Sequence, residues 1–178
     1  MPAKRTENSA LGGAVFFDKA RRFAAAGLVL AGLCTIAGSF LDWAVITERR
    51  VAENVDFGEE AGDIEAEQGE PFRGVDDRDG RLTLAGGVAL VGLAVALVVR
   101  KTTGVAWTAF WVSLAIGGIA FADYRTVSEN ESAPRGILLR HEVGVEASPG
   151  TGLAIVAAGG MLGVISSVGG VAATPREG

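Results

Sequence analysis

The chain has 178 residues, 49% of them hydrophobic and 21% charged, with 26 glycines and a formal net charge of −5 at pH 7. With a mean hydropathy of +0.34, it is too apolar for an ordinary water-soluble domain. No stretch is basic enough to bind nucleic acid, and a lone Cys34 and a lone His141 leave no disulfide framework and little metal chemistry within one chain.

The apolar residues gather in four blocks, Phe23 to Leu41, Leu82 to Val99, Val105 to Ala122 and Gly152 to Ala172, none containing Pro, Lys, Arg, Asp or Glu. Each approaches the ~20 residues that cross ~30 Å of hydrocarbon at 1.5 Å per residue. A soluble helix of that length carries a polar stripe, so membrane spans are expected at about residues 23–43, 82–100, 104–123 and 152–172. The expected fold is an all-α membrane protein: a four-transmembrane-helix bundle of two helical hairpins with a small extracellular β cap.

In chain order, residues 1–22 begin polar and continue as "ALGGAVFFDKARR". Phe16 and Phe17 ahead of Lys19, Arg21 and Arg22 suit either a short helix on the inner surface or an N-terminal extension of the first span. The first apolar run is too long for a usual signal-peptide core, and no small-x-small cleavage site follows it, so a retained span is expected. It ends in "FLDW". An Asp at the bilayer centre costs roughly 2.5–3.5 kcal/mol, most of which vanishes at the exit. Trp prefers the headgroup layer, where its ring is apolar and its N–H wet. Asp42 and Trp43 therefore read as anchors at the outer membrane face, with a buried proton-carrying Asp42 as the alternative.

The first outer loop, 44–81, opens with a short strand pattern in "WAVITERRV", through Val45, Thr47 and Val51. The stretch from 52 to 70 is acidic and poor in large apolar groups, as in mobile segments. "VDDRDGRLTL" places Asp77, Asp79 and Gly80 at the third, fifth and sixth positions of an EF-hand loop. Val75 and Gly86 stand where its first and twelfth ligands belong, so a turn with Asp79 at the N-terminus of the second span is the better account.

The third span ends in "FADY", which makes Asp123 and Tyr124 the second pair of interface anchors. Ala109, Ser113 and Gly117 recur at intervals of four along that span, and Gly159, Gly163 and Ser167 along the fourth. Such faces permit close helix packing in lipid. In the second outer loop, 124–151, Ile137, Leu139, His141, Val143 and Val145 alternate with charged residues, the period of a half-buried strand. One strand from each hairpin is expected to pair in the cap. "LAGGVALVG" from Leu84 and "AAGGMLGV" from Ala157 suggest an internal duplication of the hairpin.

Four spans put both termini on one side. Of the 21 acids only Glu7, Asp18 and Glu177 lie there, while the 16 lysines and arginines divide evenly between the two sides. The positive-inside rule counts cations. The terminal side is shorter, hence denser in basic residues, and Arg21, Arg22, Arg100 and Lys101 abut span ends. The expectation is a multi-pass protein of the cell (plasma) membrane, with segment 1–22 and tail 173–178 cytoplasmic.

"GSFLDWAVI", "FRGVDDRDGRLTLAGG", "DY" after the third span and "EVGVEASPGTGLAIVAAGGMLGV" together resemble small four-span membrane proteins common in actinobacteria. The resemblance covers about residues 25 to 170 and implies no assigned activity. Members usually carry "LPW" where this chain has Asp42 before the Trp. The plan also resembles that of claudins in shape alone, without their paired loop cysteines or Gly-Leu-Trp motif.

No catalytic, cofactor-binding or metal site is expected. Ser39 and Ser113 have no base near them, and the spans lack the paired charges of ion pathways. The expected role is a non-catalytic accessory subunit or scaffold of a cell-envelope membrane complex, contacting the lipid bilayer and another membrane protein or itself. A small channel or transporter is the alternative.

Overall fold

A computed structural model of the chain describes residues 4–49, 70–129 and 144–174. Its elements are α1 (Lys4–Phe40), β1 (Asp42–Arg49), β2 (Glu70–Arg73), a 3-10 turn (Gly74–Asp76), α2 (Arg78–Arg100), α3 (Thr103–Glu129), β3 (Gly144–Pro149) and α4 (Thr151–Ala172). Four stretches are long and apolar enough to cross a membrane: Val15–Phe40, Arg78–Arg100, Thr103–Ser128 and Thr151–Ala172. The protein is a four-helix bundle of such candidate spans with a small sheet at the end opposite the termini.

α1 has 37 residues, about 55 Å at 1.5 Å per residue. It runs unbroken through the N-terminal segment, so the extension of the first span is the form this segment takes. α3 likewise continues past Asp123 to Glu129. α2 and α3 are joined only by Lys101 and Thr102, and Lys101 closes α2 in the left-handed region at φ 53°. A left-handed residue ends many helices, usually as glycine. Here a lysine takes it, at about 1–2 kcal/mol of backbone strain.

α1 packs along α2 and α4, α3 along α4 and more loosely along α2, so the helices form a ring. The interior is small-residue and hydroxylic, with Leu28, Leu90, Leu97, Leu153 and Val156 as its largest fully buried apolar side chains. Larger groups such as Phe23, Leu33, Val95, Trp111 and Ile165 project outward. That inversion of the soluble pattern is what lipid permits: helices gain nothing by hiding leucine from lipid tails, and association depends on close backbone approach.

Neighbouring glycines on α4 divide the approach between two helices. A Cβ on Gly159 would lie 2.7 Å from Thr35 Oγ1 and 3.0 Å from the Ala31 carbonyl of α1. One on Gly160 would lie 2.8 Å from Gly117 Cα of α3. On α1, Gly32 meets the Gly87 carbonyl of α2, and Gly38 meets that of Gly152 of α4, at 2.7 and 2.8 Å from where a Cβ would stand.

The sheet is antiparallel, in the order β2-β1-β3. β1 pairs with β3 from Ala44↔Pro149 to Arg49↔Gly144, joining the two hairpins as expected. β2 was not expected: "EPFR" is short, and Pro71 argues against a strand except at an edge. It lies at the edge, pairing Pro71 with Val45 and Phe72 with Ala44. The strand pattern through Ile137, Leu139, His141 and Val143 and the acidic stretch from 52 fall outside the described residues, apart from Glu70. Among the described residues β2 and β3 each precede a returning span, β1 follows α1, and α3 continues as helix to Glu129.

Gly160→Ala drives a methyl group into backbone and should destabilise the detergent-solubilised protein by about 1–3 kcal/mol. Gly92 has open space around it, so Gly92→Ala should be neutral or stabilising by up to about 1 kcal/mol. Thermal melts of the two variants side by side check the difference.

Candidate functional site

The end of the bundle that bears the sheet is organised around Trp43. Asp42 pairs with Arg73 and Ala44 with Phe72, so Trp43 is the extra residue of a bulge in β1. A bulge bends its strand and re-aims a side chain, and here the indole lies in the core, only 4% exposed. Its Nε1–H donates to the Gly38 carbonyl at 3.0 Å, back into the last turn of α1. Its own carbonyl accepts from Gly150 N–H at 2.7 Å, ahead of α4. Gly74 lies flat against the ring, and Gly80 against Gly74, with no room for a side chain at either. One residue thus ties α1, the turn before α2 and the start of α4 together. The residues marked by sequence as an exit pair separate here, with Asp42 half-buried at the strand's start and Trp43 enclosed by protein.

The second exit pair lies within α3. Tyr124 is exposed, whereas Asp123 is partly buried and its Oδ2 has no hydrogen-bond partner among the described residues. Asp77 and Asp79 at the start of α2 are close enough to act on it electrostatically. Asp79 stands in the first turn of α2, where the helix dipole favours a carboxylate.

The packing residues picked out by four-residue spacing are distributed over two interfaces. Ala109 and Ser113 are fully buried, and Gly117 faces Gly160. Gly163 sits between Ser113 of α3 and Ala31 of α1, Gly159 faces α1, and Ser167 is fully buried. Sequence reading passed over the matching stripe on α1, Gly27, Ala31, Thr35 and Ser39, although its spacing is the same. On α2 the buried series Gly80, Thr83, Gly87, Leu90, Ala94 and Leu97 alternates steps of three and four. A search for four-residue intervals alone does not find it.

Five of the buried hydroxyls in the bundle bond back to carbonyls of their own helices. Thr35 donates to Ala31 O, Ser39 to Thr35 O, Ser113 to Ala109 O and Ser167 to Gly163 O, at 2.7–2.9 Å. Thr83 donates to Gly80 O, and its Oγ1 also lies 3.0 Å from Ser39 Oγ across the α1–α2 contact. Bonding back to a carbonyl one turn earlier neutralises a polar group without a partner helix or water. Among the described residues no group of three or more His, Cys, Asp and Glu could hold a metal ion.

The chain matches no family model and no curated protein.

An enclosed Trp43 differs measurably from a lipid-anchored one. Trp107 and Trp111 are 48% and 62% exposed on the outer face of α3. In liposomes of brominated lipid they should be strongly quenched, whereas the fluorescence left in a Trp107→Phe, Trp111→Phe double variant should resist quenching. Strong quenching in the double variant would place the Trp43 ring in lipid.

Proposed function

We propose that this is a non-catalytic integral membrane protein, an accessory subunit or scaffold that presents a rigid bundle and cap to another component of a cell-envelope membrane complex. The observation that supports it most is the state of the core hydroxyls. A conducting or transporting bundle needs polar groups free to line a path or hold a substrate. Here Thr35, Ser39, Thr83, Ser113 and Ser167 bond back to their own helices, and glycines close the gaps between those helices.

The motifs shared with small four-span proteins of actinobacteria support a bacterial plasma-membrane setting. The basic residues at the span ends near the termini support an orientation with both termini cytoplasmic and the sheet outside. In a Cys34→Ser background, Asp76→Cys and Ser148→Cys should react with an impermeant thiol reagent on intact cells. Lys101→Cys should react only after the membrane is opened, and the reverse pattern would invert the orientation.

One observation favours a small channel or transporter: the unpartnered Oδ2 of Asp123. An ionisable group partly buried at a span end is what proton- or cation-coupled proteins place on their pathways. Purified protein in liposomes decides between the readings. The scaffold reading expects proton and monovalent-cation flux equal to that of empty liposomes. Saturable flux that Asp123→Asn abolishes would replace it with the transport reading.

A further inference from the structure

The end of the bundle nearest the termini carries a charge that the scaffold reading does not use. Arg21 has a side chain only 7% exposed, and its Nε has no hydrogen-bond partner among the described residues. Its Nη2 and that of Arg22 share one carboxylate, Asp18, with Arg22 at 3.0 Å from Oδ2. The trio keeps one net positive charge. A buried guanidinium N–H without an acceptor is costly, because the desolvation penalty is not recovered.

Helix register places Arg21 level with the ends of α2 and α4 and the start of α3, where α1 continues beyond them. A Cβ on Gly170 would lie 3.2 Å from Leu97 Cδ2, 3.4 Å from Ala106 Cβ and 3.7 Å from Ala24 Cβ. One turn outward from that level stand Arg21 on α1, Arg100 on α2, Thr103 on α3 and Thr174 after α4. At the end of α4, Gly169 O accepts from Ala173 N, Val171 O from Thr174 N, and Gly170 O from Thr174 Oγ1. None of these groups bonds Arg21 Nε, which leaves its N–H open to an acceptor from outside the described residues.

We propose that this end of the bundle binds a phosphate oxyanion, with Arg21 as its buried donor and Arg22, Arg100 and Lys101 as an exposed basic rim. A planar guanidinium matches phosphate oxygens with paired hydrogen bonds, strengthened where water is excluded. The position at the span ends suits the headgroup of an anionic phospholipid, as in other basic pockets between spans. Free phosphate offers the same chemistry. The proposal goes beyond the scaffold reading and does not rest on it.

Delipidated full-length protein in a nonionic detergent, followed by native mass spectrometry and by thermal melts, tests it. The probes are inorganic phosphate, a short-chain phosphatidylglycerol, and a diacylglycerol with the same chains and no phosphate. Phosphatidylglycerol should bind and raise the melting temperature, and the diacylglycerol should do neither. Binding of inorganic phosphate as well would assign the site to the anion itself, and its failure would assign it to the lipid.

Arg21→Lys should weaken binding by about tenfold, the worth of one charge-assisted hydrogen bond. Asp18→Asn removes the carboxylate that competes for both arginines and should tighten binding, although it breaks two ion pairs. A purely structural Arg21 predicts no such gain. Equal stabilisation by phosphatidylglycerol and diacylglycerol, or unchanged affinity in Asp18→Asn, would overturn the proposal.

Discussion

Contact of α4 with α1 at backbone distance is the constraint on which the rest of the bundle depends. Gly152 and Gly159 meet Gly38, Ala31 and Thr35 with no space for a Cβ between them, and Gly27 meets Ser166 in the same way. In lipid there is no gain from hiding apolar side chains, so dispersion and close-approach contacts must supply the cohesion. Each glycine removed from such a face separates two helices along several turns. Once α1 and α4 are in register, Gly160 and Gly163 offer α3 the opposite side of α4, and Gly32 and Gly87 seat α2 on α1.

The cap is an outgrowth of the same register. Gly38 and Gly152 bring the exit of α1 and the entry of α4 together, and that juxtaposition allows Trp43 O to accept from Gly150 N–H. β1 then pairs on one side with β3, which leads into α4, and on the other with β2, which leads into α2. The bulge at Trp43 returns a large ring to the bundle, where it packs against the end of α1 and the turn before α2. Sheet and bundle form one packed body, with Trp43 common to both.

Polar groups are handled by two different rules along the bundle. In the middle, Thr35, Ser39, Thr83, Ser113 and Ser167 bond back to their own helices. At the ends, charge remains unresolved: among the described residues Asp123 Oδ2 and Arg21 Nε have no hydrogen-bond partner. Such groups are retained at helix ends because the surroundings there can supply water, ions or headgroups, whereas the hydrocarbon interior cannot. The chemical interest of the protein lies at its two ends.

By itself the sequence determined the four spans and their hairpin order, and it led to the expectation of a cap with one strand from each hairpin. The spans follow from a local property, uncharged runs of membrane length; β3 overlaps the expected strand only at Gly144 and Val145. Small residues at four-residue spacing on α3 and α4 were equally visible. The tertiary structure alone decided where Trp43 points, because a bulge is defined by what lies opposite, and Arg73 and Phe72 belong to a strand whose proline disguised it. It also decided that Gly159 and Gly160, adjacent in the chain, serve different helices, since successive helical residues are turned by about 100° and only the ring order says what each one meets. The burial of Arg21 was hidden for the same reason. A basic residue at a span end reads as solvated until the register of α1 against α4 places it one turn beyond Ala24, on the side facing inward.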